Sequence, residues 1–165
     1  MVQLVLVRHA KAVQWGYDDD FHRELTPRGL DDALKVSFYL REQGVVPRLI
    51  LSSPATRAMQ TAGIFAGSFS YPLERIEQDH GFYLGVTTAE FLRRLQEIPA
   101  GKEVVYFFGH NPTLSFFAEQ LCTSFGREIP TCSAVVIEFP VGSWAQAEVR
   151  TGKLVMQVNP KDIRH

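Results

Sequence analysis

The sequence predicts an α/β fold with a mostly parallel central sheet, and three observations carry that prediction. Short apolar runs alternate with longer segments whose apolar residues recur at helical spacing, the pattern of a sheet wound with crossover helices. The first run, Val2–Val7, has Gln3 as its only polar member, as expected of a strand covered on both faces. Three runs lead into basic residues: Val2–Val7 into Arg8-His9, Leu49–Leu51 through Ser52-Ser53-Pro54 to Arg57, and Val104–Phe108 into Gly109-His110-Asn111-Pro112. If these are neighbouring parallel strands, Arg8, His9, Arg57 and His110 converge at their carboxyl ends, where open α/β sheets bind ligands.

The remaining elements follow in chain order. After the first strand comes a polar loop, Lys11–Glu24, with an acidic cluster at Asp18-Asp19-Asp20. Thr26-Pro27 reads as an N-cap followed by proline at the first helical position; Leu30, Ala33, Leu34, Phe38 and Leu40 form the apolar stripe, and Gly44 closes the helix. Arg48–Ser52 is the second strand. Pro54 opens a helix over Ala55–Ala66, with Ala58, Met59, Ala62 and Phe65 facing inward. A short strand is expected around Leu73–Ile76 and a loop over Asp79–Thr87. Thr87 or Thr88 then caps a helix through Leu92, Leu95 and Ile98. Pro99-Ala100-Gly101 turns into the third strong strand, Glu103–Phe108, and Pro112 opens a helix over Thr113–Thr123. The last part changes character: Ala134–Phe139 reads as a strand, Pro140–Trp144 as a turn, and Ala145–Arg150 and Lys153–Val158 as weaker strands with hairpin turns at Gly142 and Gly152. No repeat, low-complexity tract or linker divides the chain, so residues 1–165 are read as a single domain.

Composition narrows the function. A chain of 165 residues with 45% apolar content is long enough to bury a core. Its 17 basic and 18 acidic residues nearly cancel and no long basic run exists, which argues against nucleic acid as a partner. The opening apolar run is a strand's length, too short for a signal sequence or a membrane span, so the expected setting is soluble and cytoplasmic, with no membrane partner. Cys122 and Cys132 fit no zinc spacing and are expected as free buried thiols. The five histidines show neither HxxxH nor HExxH spacing, no P-loop is present, and Ser52-Ser53-Pro54 is not a nucleophile elbow. No metal and no cofactor are expected.

Two arginines and two histidines about one point suit a phosphoryl group. The arginine fork donates paired hydrogen bonds to phosphoryl oxygens, and a helix N-terminus adds N–H donors. A neutral imidazole beside two guanidiniums keeps its lone pair and can attack phosphorus. Phosphoryl transfer is mostly positioning and electrostatics, so such a set needs no metal.

The segments Leu6-Val7-Arg8-His9-Ala10-Lys11-Ala12, Arg23-Glu24-Leu25-Thr26-Pro27-Arg28-Gly29, Ser52-Ser53-Pro54-Ala55-Thr56-Arg57-Ala58-Met59-Gln60-Thr61 and Gly109-His110-Asn111-Pro112 together resemble the histidine phosphatase (phosphoglycerate mutase-like) superfamily, and more narrowly its SixA-type phosphohistidine phosphatases. The resemblance implies a three-layer α/β/α sandwich and metal-independent phosphatase chemistry through a phosphohistidine enzyme intermediate. By position, His9 would be the nucleophile, Arg8 and Arg57 the phosphate clamp, and His110 the second pocket histidine, which also binds substrate. Two departures matter. Ala10 stands where the superfamily usually has glycine after Arg-His, a change that SixA-like members often tolerate. The general acid of many superfamily enzymes lies four residues before a glycine-rich loop; Glu77 stands four before Gly81, with Asp79 and His80 as nearby rivals. A weak or absent acid favours a leaving group such as imidazole, whose conjugate acid has a pKa of ~6.5, over a sugar alkoxide. The expected substrate is therefore a phosphorylated protein, such as a histidine-containing phosphotransfer domain, reached through an open site. The alternatives are a small-molecule phosphomonoesterase of the same fold and a non-catalytic phosphate-recognition module. The part played by Lys11, Asp20 and His22 in the first long loop is left open.

Overall fold

The computed structural model describes residues 1–164. Its centre is one six-stranded sheet in the order β3-β2-β4-β1-β5-β6, formed by β1 (Val2–Arg8), β2 (Leu49–Ser52), β3 (Glu77–Gln78), β4 (Val104–Gly109), β5 (Ala134–Phe139) and β6 (Lys153–Val158). The pairs β1–β4, β2–β4 and β2–β3 are parallel; β5 and β6 are added antiparallel at the other side of β1.

Side chains along β1 alternate between two cores, as the period of two in a strand requires. Leu4 and Leu6 join Leu51, Val105 and Phe107 beneath α4 (Thr88–Gln96) and α5 (Thr113–Leu121), where Phe91, Leu95, Phe117 and Leu121 are buried. Val5 and Val7 join Ile50, Tyr106 and Phe108 beneath α1 (Pro27–Glu42) and α2 (Thr56–Ser68), which contribute Val36, Leu40, Ala62 and Phe65. Helices on both faces of a mostly parallel sheet make the three layers the sequence predicts. Among the described residues no helix is long and apolar enough to cross a membrane.

Caps and ends match local chemistry. Thr26 accepts the Gly29 amide at 3.0 Å and Pro27 opens α1, while Gly44 at φ +75° turns the chain away beyond it. Gly29 has a second reason to be glycine: a Cβ there would lie 2.2 Å from the Lys11 carbonyl oxygen, so the close approach of the first long loop to α1 depends on its absence. Thr87 caps α4 in a reciprocal arrangement with Glu90. Cys122 and Cys132 are buried and free, and burial pushes the Cys122 thiol up to about 11 and the Cys132 thiol up as well, away from thiolate reactivity.

Several expectations are corrected. Leu30, Leu34 and Phe38 are 41–47% exposed on the outer side of α1; of the expected stripe Ala33 and Leu40 are buried, joined by Val36. The strand expected at Leu73–Ile76 is a 3-10 turn over Leu73–Arg75, because only Ile76 of that stretch finds a buried place; pairing begins at Glu77. The stretch expected as a loop over Asp79–Thr87 holds the short helix α3 (Gly81–Leu84). Ala145–Arg150 is no strand: Trp144–Gln146 form a 3-10 turn, and the backbone amides of Arg150 and Gly152 bond the Gln120 and Leu121 carbonyls at the end of α5. Those carbonyls have no partner within their helix, and satisfying them outweighs a further sheet edge.

Candidate functional site

Register brings the site together. Arg8 pairs with Gly109 across β1 and β4, and Ser52 pairs with Phe108 across β2 and β4, so the three strands end nearly level. One residue further on, His9, His110 and Ser53 stand side by side at the carboxyl edge. Backbone bonds from His9 to the Gly109 carbonyl (3.0 Å) and from Ser53 to the Phe108 carbonyl (2.9 Å) extend the sheet to that level. Arg57 enters from the first turn of α2. Arg8, His9, Arg57 and His110, with Lys11, Gln14, Arg23, Asn111 and Thr131, line a cleft of about 380 Å³.

The His9 ring is oriented by its neighbour. Its Nδ1 lies 2.8 Å from the Ala10 carbonyl oxygen, which can only accept, so Nδ1 carries the hydrogen and Nε2 keeps the lone pair. Burial above all, and the charges of His110, Arg57 and Arg8, lower the ring's pKa from 6.5 to about 3 against the raising effect of that carbonyl. His110 lies with its ring centroid 5.3 Å from that of His9. Its pKa is lowered to about 4, first by burial and then by Arg57. Ser53 Oγ lies 2.7 Å from His110 Nε2 and accepts the Ala55 amide at 3.2 Å, and its hydroxyl donates to the imidazole when Nε2 holds the ring's lone pair. In that arrangement His110 Nδ1 bears the ring hydrogen, and it is buried with no partner among the described residues. Arg8 Nε and Arg57 Nε are buried donors in the same condition. Unpartnered donors of this kind beside a neutral imidazole suit an oxyanion.

Of the three loop residues whose part the sequence leaves open, Lys11 lines the cleft, His22 bonds Asp19, and Asp20 reaches the site through Arg57. Its backbone carbonyl and its Oδ2 accept from the Arg57 guanidinium at 2.8 and 2.9 Å, Tyr83 donates to Oδ2 at 2.8 Å, and Arg23 Nε donates to Oδ1 at 3.0 Å. Burial raises the Asp20 pKa, but the hydrogen bonds from Tyr83, Arg57 and Arg23 outweigh it and hold the carboxyl at about 2. Asp20 is thus an ionised clasp that fixes Arg57 and draws Arg23 into the cleft lining. Arg23 was not among the expected site residues; its signal was its place in the Arg23–Gly29 segment that resembles the superfamily.

Glu77 is not brought into the cleft. It lies on the edge strand β3, half exposed, and its Oε1 pairs with the Arg94 guanidinium of α4. Asp79 Oδ1 accepts the Gly81 amide at 2.8 Å, opening α3, and the His80 ring lies 6.2 Å from Phe21 and 6.3 Å from Tyr83. Among the described residues no carboxylic acid belongs to the cleft lining; Asp20 touches it through Arg57 and Arg23. Among the described residues no group of three or more histidine, cysteine or acidic side chains is arranged to hold a metal ion.

The buried neutral histidines make stability depend on pH. Above 6.5 both rings are neutral, folded or unfolded, and contribute no slope. Below it the unfolded chain takes up protons that the folded rings refuse until about 4 and about 3, so stability falls with falling pH by up to about 1.4 kcal/mol per unit for each ring. Asp20 adds its own loss only below 3.8, as pH drops through about 2. Denaturant midpoints should therefore decline between pH 6.5 and 4.5, and His110→Gln should flatten the decline; equal slopes in both proteins would contradict the assignment.

Comparison with known proteins bears on this arrangement. The profile of the Histidine phosphatase superfamily (branch 1) matches residues 4–103. An uncharacterized protein of Mycobacterium tuberculosis is 30% identical over 161 residues, spanning 90% of this chain and 96% of its own. The 5''-phosphoribostamycin phosphatase of Niallia circulans is 38% identical over 78 residues, 41% of this chain and 35% of that protein. Among solved structures, the protein histidine phosphatase SixA complexed with tungstate has the same fold, with a TM-score of 0.86 over 99% of this chain and 100% of that one at 21% identity. A candidate phosphohistidine phosphatase SixA from Nakamurella multipartitia gives 0.83 over 96% of each chain at 25% identity.

Proposed function

The chain belongs to branch 1 of the histidine phosphatase superfamily, and on that footing we propose that it is a metal-independent phosphatase working through a phosphohistidine on His9, with phosphohistidine on another protein as its substrate. The observation that carries the reading is the His9 ring: neutral, with its Nδ1 hydrogen donated to Ala10 and its Nε2 lone pair free, in a cleft whose lining among the described residues offers cations and no carboxylic acid, Asp20 being ionised and engaged with Arg57.

In the first step His9 Nε2 forms a bond to phosphorus as the substrate's P–N bond breaks. Arg8 and Arg57 bind the nonbridging oxygens, and His110 donates to them as charge spreads in the transition state. The departing electron pair stays on the substrate imidazole. A phosphohistidine ring already protonated from solvent at its other nitrogen leaves as neutral imidazole, so the enzyme need supply no proton. In the second step water attacks phosphorus, the Nε2–P bond breaks with its pair returning to His9, the water proton passes to solvent, and inorganic phosphate departs. An alkyl phosphate would leave as an alkoxide and would need a general acid.

The test offers the purified protein a phosphohistidine-containing domain and a sugar phosphate. The reading expects the P–N bond to be cleaved much faster; rapid hydrolysis of the sugar phosphate with the phosphohistidine intact would refute it. The second reading, a small-molecule phosphomonoesterase, is supported by the matching stretch of the 5''-phosphoribostamycin phosphatase. It would require an acid such as Glu77. Because Glu77 is engaged with Arg94 outside the cleft, Glu77→Gln should change turnover of alkyl and aryl phosphates alike and by no more than about twofold. A large loss confined to the alkyl substrate would restore Glu77 as the proton donor.

A further inference from the structure

Beside the phosphate cleft lies a second depression of about 240 Å³, which shares Lys11 and Thr131 with it and continues over Arg28, Asp32, Pro130 and Lys161. Together the two are lined by six basic side chains, Arg8, Lys11, Arg23, Arg28, Arg57 and Lys161, against one acidic, Asp32, with Asp20 pairing Arg23 and Arg57 from outside the lining, on a chain whose net charge is −1. A phosphoryl group carrying two negative charges is met by Arg8 and Arg57 alone, so the cations of the second depression are surplus to it. They are also poorly neutralised. Lys11 and Lys161 have no acidic partner within 4 Å among the described residues, and Arg28 approaches Asp32 only at 3.9 Å. Three cations, two of them without an acidic partner among the described residues and the third only loosely paired, converge there from three separate parts of the chain: the start of the first long loop, the first turn of α1 and the 3-10 turn Pro160–Asp162. Such a concentration of one sign focuses field and selects a complementary partner.

Resting on the phosphohistidine reading above, we propose that this depression is a second anion subsite that takes a carboxylate side chain of the phosphorylated protein, lying beside the phosphohistidine. Lys11, Arg28 and Lys161 are all exposed, so the subsite is an open surface groove. A small acidic ester would leave much of its surface in water there, whereas small-molecule sites usually enclose most of their ligand. A side chain on a protein surface needs no enclosure, since its own chain covers it.

The experiment uses the full chain and two histidine-phosphorylated peptides, one with glutamates flanking the phosphohistidine and one with glutamines. Wild type should prefer the glutamate peptide in kcat/KM by about five- to tenfold at low salt, and the preference should shrink as salt is raised. Lys161→Glu should abolish or invert the preference, and the double variant Arg28→Ala/Lys161→Ala should abolish it should the charge reversal fail to fold. Equal rates on both peptides in wild type, or a preference that survives both variants, overturn the subsite while leaving the phosphohistidine reading in place. Hydrolysis of neither peptide overturns both. A third probe pair, an aryl phosphate with and without a carboxylate, tests the small-molecule source; a Lys161-dependent preference there, with none between the peptides, would also overturn the proposal.

Discussion

His9→Ala should yield a protein that never becomes covalently phosphorylated and that turns over an aryl phosphate ~10⁴-fold or more slowly than wild type, the order of loss seen when a nucleophile is deleted from a preorganised site. Neither the other imidazole nor the guanidiniums of the cleft can take its place. His110 Nε2 is engaged by Ser53, the arginines hold no lone pair for attack, and the acidic side chains lie outside the lining. The measurement is transfer of labelled phosphate from substrate to protein, quenched in alkali because the P–N bond of phosphohistidine is labile in acid. Wild type should trap label on one residue and His9→Ala none. Label persisting in His9→Ala would move the nucleophile elsewhere. Wild type that binds phosphate tightly without ever trapping label would point to the non-catalytic recognition module. Because the His9 side chain donates to the adjacent Ala10 carbonyl, the alanine variant also leaves that buried acceptor short of one bond. His9→Gln is the companion variant, with an amide able to donate and no ring nitrogen to attack.

What the sequence made legible follows from which interactions are local in character. The runs Val2–Val7 and Val104–Phe108 are almost wholly apolar, and that property places them in the middle of the sheet, as β1 and β4 are. Once they are neighbours, the residues just past them must meet, and Arg8, His9 and His110 were readable as a set for that reason. The first long loop was not readable. Asp20 reaches Arg57 across 37 residues of chain, and nothing in Asp18-Asp19-Asp20 distinguishes the one carboxylate that turns inward from the two beside it. Its place depends on Tyr83 and Arg23 arriving at the same point, a tertiary condition with no periodic trace. The same limit explains α1. Leu30, Leu34 and Phe38 satisfy helical spacing as well as the buried residues do, and only the position of the sheet decides which stripe is covered. Glu77 shows the converse hazard. Its spacing from Gly81 suits the superfamily acid, yet it sits on a two-residue edge strand within reach of Arg94, and the ion pair engages the carboxylate that the spacing offered for catalysis.

Arg57 is where fold and chemistry are most tightly joined, and its replacement carries the second large expected effect. The residue is 5% exposed, both terminal nitrogens donate to Asp20, and its Nε is a buried donor with no partner among the described residues. Asp20 therefore holds the guanidinium by its two terminal nitrogens, and a phosphoryl oxygen bound by Arg57 would be met along the Nε edge. Arg57→Ala should reduce kcat for an aryl phosphate by about 10²–10³-fold, the usual range for a lost donor to transition-state charge, and should weaken competitive inhibition by inorganic phosphate. Arg57→Lys discriminates charge from geometry. An ammonium keeps the unit charge but cannot bond Asp20 along one edge and phosphate along another, so it should recover only a small part of the loss. Near-normal turnover in Arg57→Lys would mean that field alone suffices and that the Asp20 clasp is incidental. A separate consequence tests the clasp. With Arg57 gone, Asp20 loses one of the donors that hold its carboxyl at about 2, so its pKa should rise toward the ordinary 3.8, visible by carboxyl NMR titration. A rise in Asp20 together with a fall in kcat in Arg57→Ala, and poor rescue by lysine, would establish that the arginine acts as an oriented fork held from behind.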